Sequence, residues 1–521
     1  MKKNIFNIAL ASSLVVLASC EPDFDEPIED IVVTSGDADF TKYVALGNSL
    51  TSGFTDNALF VSGQENSYPN MLANQMAMAG GGAFVQPLMP DDIGGFTNLG
   101  VAGRLNLVIN PETGALAPVP TPAQSPLTMV TGGVNNMGVP GAKSYHLLAN
   151  GYGNPAGIAA GLANPYFVRF ASSPTTSVLA DAAAQAPTFF SLWIGNNDVL
   201  SYATGGGVGV NQMAANNVDP TTYGGADISH PMVVAGAIQQ ILETLTNTVG
   251  AKGVIANIPS ITDIPYFTTV PTQPFSVNNV GADNIAMLNG FYTPINAALD
   301  MIGASDRKIV FSADAANGAV IIDETLPNVT PQLVAALVQI GVPQPQAMLL
   351  GSIYGQTRQS NSNDLMVFTS QTILGKLNME RVAELMAMGL SQAEAGQLSL
   401  DGLTNPLADK WVLTASEKNA VIAATDAYNA AIAQLAAQYD LAFVDAHKAM
   451  KDLSSDSGIT YFGNTYTTTF VSGGAFSLDG VHLTGRGYAV VANYFIEAIN
   501  HKFGSTLRTV NPNNFPGVKI P

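Results

Sequence analysis

The stretch Tyr43-Val44-Ala45-Leu46-Gly47-Asn48-Ser49-Leu50-Thr51-Ser52-Gly53-Phe54 decides how the rest of the chain is read. Tyr43 to Leu46 is a short apolar run of the length expected for a buried strand, and Gly47 ends it with a residue that permits a sharp turn. Such a turn lifts Ser49 clear of the strand, where its hydroxyl can act as a nucleophile. Asn48 and Ser49 are equally good turn and helix-cap residues, so the tetrapeptide alone leaves both readings open.

Three other stretches share this character. Phe189 to Ile194 reads as a second buried strand and runs into Gly195-Asn196-Asn197-Asp198. Leu478-Asp479-Gly480-Val481-His482-Leu483-Thr484 sets an aspartate and a histidine three apart, ahead of an apolar helical stretch from Tyr488 to Ile499. Asn136-Met137-Gly138-Val139-Pro140-Gly141 precedes a helix start at Ala142 to Leu148, and Asn98-Leu99-Gly100-Val101-Ala102-Gly103 repeats its spacing. In their order these blocks resemble those of the SGNH/GDSL hydrolase family, which carries its serine in Gly-Asp-Ser-Leu, an asparagine in Gly-x-Asn-Asp, a glycine in Asn-(x)4-Gly and a late Asp-x-x-His.

The resemblance implies an α/β fold, a three-layer α/β/α sandwich with a central parallel sheet of flavodoxin-like order. It implies a triad of Ser49, Asp479 and His482 and no cofactor or metal. The oxyanion hole would consist of the backbone N–H groups of Ser49 and Gly141 and the side-chain amide of Asn197. A helix opening after Gly141 would aim free N–H groups at a developing oxyanion, which favours Gly141, with Gly103 as the alternative. The chain departs from the family at Asn48, where the family has aspartate.

The chemistry follows from what an ester requires. A serine hydroxyl needs an imidazole to take its proton during attack, and an aspartate fixes the useful tautomer of that ring. Asp445 and His447 form a competing pair, but without an intervening glycine turn they read as a strand end meeting a helix start. His146, His230 and His501 show no partner pattern. The chain contains no Gly-x-Ser-x-Gly, His-Glu-x-x-His or Cys-x-x-Cys.

Residues 1–19 read as a signal peptide: a basic start at Lys2 and Lys3, then an apolar segment from Ile5 to Ala18, too short to span a bilayer. Leu17-Ala18-Ser19-Cys20 resembles the bacterial lipobox, which implies cleavage before Cys20, lipidation of its thiol and an outer-membrane anchor. Cys20 is the only cysteine, so the chain forms no internal disulfide and relies on its core. Residues 20–39, acidic and broken by proline, read as a tether whose acidity resembles surface-export signals. A net charge of −19 with 20 Lys and Arg argues against a nucleic-acid partner.

The catalytic domain is expected over residues 40–515. Helices at Ser67–Met76, at Ser177–Ala186, after Pro231 and after the capping box Thr414-Ala415-Ser416-Glu417 alternate with strands at Gly253–Ile258 and Leu441–Asp445. That rhythm predicts a parallel sheet covered on both faces. Between about 263 and 408 it loosens, which predicts an insertion or lid subdomain with strands at Lys308–Phe311 and Ala319–Ile322 and helices at Pro331–Ile340 and Met379–Met388. Gly205 to Gly209 is expected to be a flexible surface loop. The expected substrate is a carboxylic ester on an extracellular glycan or a lipid; the alternative is a glycan-binding lipoprotein without turnover.

Overall fold

The structure, a computed structural model, describes residues 32–111 and 114–521. The signal peptide, Cys20 and most of the tether lie outside the described residues.

Five strands, β1 (Tyr43–Gly47), β2 (Asn136–Gly138), β3 (Phe189–Trp193), β4 (Lys252–Ala256) and β5 (Ala442–Val444), form one parallel sheet in the order β2-β1-β3-β4-β5. Every residue of β1 and β3 is buried, which is why both read as unbroken apolar runs rather than as alternating patterns. The chain steps from β1 outward to β2, then returns past β1 to β3. Right-handed crossovers put the helices before and after such a reversal on opposite faces of the sheet.

The packing follows that rule. Helix α1 (Tyr68–Met78), from the first crossover, packs against α5 (Gly485–Phe503), with Tyr68 stacked on Phe495 at 4.6 Å. The later crossover helices, α2 (Val178–Ala184), α3 (Pro231–Leu242) and α4 (Ala415–Gln438), form the other group, in which α3 packs on α4. Glu417 accepts the Thr414 N–H at 2.7 Å and so caps α4 as its sequence anticipates. The π-helical turn Glu243–Thr248 extends α3. Among the described residues no helix is long and apolar enough to cross a membrane.

Residues 257–414, between β4 and α4, carry a second hydrophobic core that draws on side chains from Val270 to Val412. Its helices Ala282–Met301, Thr330–Gln339 and Gln344–Tyr354 pack in sequence, and Val320–Ile322 pairs antiparallel with Thr357–Gln359. The strand expected at Lys308–Phe311 does not form. Its backbone is paired instead by two asparagines of the Ala282–Met301 helix: Asn296 exchanges bonds of 2.8 and 2.7 Å with Ile309, and Asn289 bonds of 2.9 and 2.8 Å with Phe311. An amide side chain offers the same donor and acceptor as a peptide group, so the segment is satisfied without a neighbouring strand.

Two boundaries differ from expectation. Thr34 and Asp37, inside the stretch assigned to the tether, bond to Thr506 and to the Phe503 carbonyl, so the packed domain starts before Phe40. Gly206 and Gly207, expected in a flexible surface loop, are buried against the Asp409–Lys410 backbone and the Glu417 carboxyl.

Candidate active site

A doubly wound sheet has its crevice where the strand order reverses, at the carboxyl ends of the strands. Ser49, Gly141 and Asn197 follow β1, β2 and β3, the three adjacent strands at that reversal. Gly47 is needed there for space rather than for an unusual φ: a Cβ would run into the Thr51 hydroxyl and the Trp193 carbonyl. Asn48 caps the short helix Ser49–Ser52 by accepting the Leu50 N–H at 3.1 Å, and its Nδ2 donates to Asn196 Oδ1 at 3.2 Å. The amide therefore uses both its functions to join the serine block to the Gly195–Asp198 block, a link that a carboxylate could only accept.

Asp479 and His482 arrive from the loop before α5. The Ser49 hydroxyl lies 2.9 Å from His482 Nε2, and His482 Nδ1 lies 2.8 Å from Asp479 Oδ2. The carboxylate holds the ring proton on Nδ1, so Nε2 is free to accept from Ser49. Asp479 is itself over-determined. Its Oδ1 accepts the N–H groups of Val481 and His482, each at 2.8 Å, and the Ser477 hydroxyl at 3.1 Å; Oδ2 also accepts the Asn57 N–H at 2.8 Å. Burial pushes this carboxyl up, but the His482 charge and these hydrogen bonds outweigh it and hold Asp479 well below the usual carboxylate range.

The turn that supplies Asn57 has no counterpart in the sequence reading. Asp56 and Asn57 both have positive φ, 48° and 60°, and Thr55 and Ala58 bridge across them. The turn grips the triad loop: Asp56 N–H donates to Ser477 Oγ, and Asp56 Oδ1 accepts the Leu478 N–H, each at 3.0 Å. Burial raises the Asp56 carboxyl to about 6. Asp56-Asn57 is a sequence signal for such a turn, but nothing local says what the turn would hold. From the insertion, Tyr266 donates its N–H to the Gly480 carbonyl at 2.9 Å, and the Phe54 ring lies 4.6 Å from that of His482.

Gly141 has φ +79° and follows directly from β2, whereas Gly103 lies in the loop leading to a separate hairpin, Leu105–Ile109 with Leu116–Pro120. Among the described residues, the N–H groups of Ser49 and Gly141 donate to no protein acceptor. The helical turn that follows does not open directly at Gly141 as expected. It starts at Ser144, whose N–H is taken by the buried Asp198 carboxylate at 2.8 Å. Asn197 donates one Nδ2 hydrogen to the Ala142 carbonyl at 2.9 Å, which fixes the amide beside Gly141 and leaves its second hydrogen available.

Three of the remaining four histidines have other work. His230 caps α3 through the Met232 N–H. His146 is stacked on Tyr152 at 4.8 Å, and burial lowers it to about 4. Asp445 caps the helix Ala446–Ser454 and accepts from Asn257, while His447 Nδ1 faces Asn429. Among the described residues there is no group of three metal-ligating side chains. Comparison of the chain with protein-family models, with curated proteins and with solved structures gives no match in any of the three.

Proposed function

We propose that the chain is a serine esterase of the SGNH/GDSL type, built on that family's three-layer sandwich, which cleaves carboxylic esters through an acyl-enzyme. The observation that carries this reading is the unbroken contact from Ser49 through His482 to Asp479, set beside two backbone N–H groups without an acceptor among the described residues. Ser49 Oγ attacks the ester carbonyl while His482 Nε2 takes its proton, and Asp479 stabilises the imidazolium that forms. Negative charge on the carbonyl oxygen is received by the N–H groups of Ser49 and Gly141 and the free Nδ2 hydrogen of Asn197. His482 returns its proton to the departing alcohol oxygen, leaving the acyl group on Ser49. Water, activated by the same imidazole, then releases the acid.

The direct test is hydrolysis of a short-chain nitrophenyl ester series by residues 21–521, alongside the Ser49→Ala variant. Activity that disappears in the variant supports the reading, and the profile across chain length separates an acetylesterase acting on glycans from a lipase. Equal activity in both forms would sink it. Inactivity of both would favour the glycan-binding alternative and make glycan capture the next assay. We also propose lipidation at Cys20 and an outer-membrane location; a Cys20→Ser form processed normally and still membrane-bound would refute the anchor.

A further inference from the structure

The donor peptide between Pro140 and Gly141 is held from behind. Asn164, 24 residues further on, donates Nδ2 to the Pro140 carbonyl at 2.8 Å and to the Tyr152 hydroxyl at 3.1 Å. Its Oδ1 accepts the Tyr166 N–H at 2.9 Å, capping the short helix Pro165–Val168, so every polar atom of the side chain is engaged. Pro140 O and Gly141 N–H belong to one planar peptide, and no cis peptide bond is present among the described residues, so the two groups point in opposite directions. Fixing the carbonyl on Asn164 therefore aims the N–H away from Asn164. A hydrogen bond to the carbonyl also polarises the amide and makes its N–H a stronger donor. Burial pushes the Tyr152 hydroxyl up to about 12, so it meets Asn164 as a neutral acceptor. Two peptides on, the Ala142 carbonyl is held in the same way by Asn197.

We infer that Asn164 is a positioning residue of the esterase: by holding the Pro140 carbonyl it orients and polarises the Gly141 N–H that receives the oxyanion. This inference rests on the esterase reading above. Two roles meet in one side chain, and one substitution separates them. Asn164→Asp keeps an oxygen to cap Pro165–Val168 but cannot donate to Pro140 O. A residue that served only the cap would tolerate it.

The test measures kcat and KM for a nitrophenyl ester, and inhibition by an alkyl trifluoromethyl ketone whose tetrahedral adduct on Ser49 places an oxyanion in the same hole. The expected result for Asn164→Asp is a loss in kcat of about thirtyfold, less than deletion of a whole donor. KM stays within about twofold, and the inhibition constant rises in step with the fall in kcat/KM. Circular dichroism confirms the fold; if Asn164→Asp fails to fold, Asn164→Ser, whose hydroxyl caps but is too short to reach Pro140, carries the same expectation. Wild-type kcat in the variant, or a fall in kcat with unchanged ketone affinity, overturns the inference while Ser49→Ala remains inactive. Full activity of Ser49→Ala would instead remove the esterase reading itself.

Discussion

The sheet domain and the insertion place their charged groups in opposite ways. In the sheet domain the contact that matters joins residues 433 positions apart, and the groups around it, the N–H of Ser49 and of Gly141, are left without partners among the described residues. In the insertion the main ionic group is spent internally. Arg358 grips Asp364 through two nitrogens at 2.7 and 2.8 Å and Asp323 at 2.6 Å, with the Asp364 side chain fully buried. Asp364 also accepts the Ala415 N–H at 3.0 Å, so the same cluster fastens the insertion to the start of α4. Unspent donors at the end of a sheet are the mark of a site that meets something else, whereas a satisfied buried ion cluster is the mark of a fastening.

That contrast fails if the triad is merely structural. Asp479→Asn keeps the shape of the side chain but removes the charge that fixes the His482 tautomer, so kcat for a nitrophenyl ester is expected to fall about 10⁴-fold. Its far-ultraviolet circular dichroism should match the wild type at neutral pH. Loss of fold would show that Asp479, like Arg358, mainly fastens. Because Asp479 is held below the usual carboxylate range, its contribution to stability is fully present above that range and is lost as pH falls from there towards the lowered pKa of the folded state. The variant should therefore lack part of the wild-type acid unfolding.

The second test addresses the insertion. Arg358→Met strands two carboxylates and is expected to cost about 3–5 kcal/mol, confined at first to the insertion. The chain has two tryptophans: Trp193 ends β3 in the sheet core, and Trp411 packs against both cores where the insertion meets the sheet domain. With Trp411→Phe as background, urea unfolding reports the sheet core through Trp193; with Trp193→Phe as background, it reports the packing of the insertion on the sheet domain through Trp411. A Trp411 transition that moves to lower urea ahead of Trp193 sharpens the contrast; coincident shifts would make the two regions a single cooperative unit. A smaller loss is expected from Asn289→Ala, which strips the buried Phe311 of both backbone partners, about 1–3 kcal/mol and again seen through Trp411.

The same contrast explains what could be read from the sequence. β1 and β3 are apolar runs because both faces are covered, and Thr414 with Glu417 announces α4, so the parallel sheet and the ends of its strands were legible. Ser49, His482 and Asp479 were legible because each sits in a short block beside a strand end or before a helix. The Asp56–Asn57 turn and Asn164 were not, since each acts on a partner distant in sequence and an asparagine in a loop is a common sight. In the insertion, Lys308–Phe311 has the composition of a strand and an extended backbone, yet side chains pair it. Periodicity can report that a segment is extended and buried, but not whether a strand or an amide completes its hydrogen bonds.

The smallest expected effect sets the two regions against each other in pH. Asp409, where the insertion meets α4, is raised to about 7, first by burial and then by the negative charges of Glu417, Glu324 and Asp323 around it. Glu417 is also raised by burial, and its carboxyl is engaged by Thr414 at the helix cap. The native state therefore holds a proton on Asp409 over a range in which the unfolded chain, with an ordinary aspartate, has released it. Where the native state binds more protons, stability falls as pH rises, so the cost of this group grows between roughly pH 4 and 7 and stays at its full value above. That slope is opposite in sign to the one from Asp479. Asp56, raised to about 6, adds a slope of the same sign as Asp409 within the sheet domain, so only a difference between variant and wild type isolates Asp409. Asp409→Asn keeps a polar group of the same size without a charge to bury. The gain in its melting temperature over the wild type should be smaller near pH 5 than at pH 8, and it should show first in the Trp411 signal. A gain of equal size at both pH values would mean that the substitution improves packing and that no proton is held there.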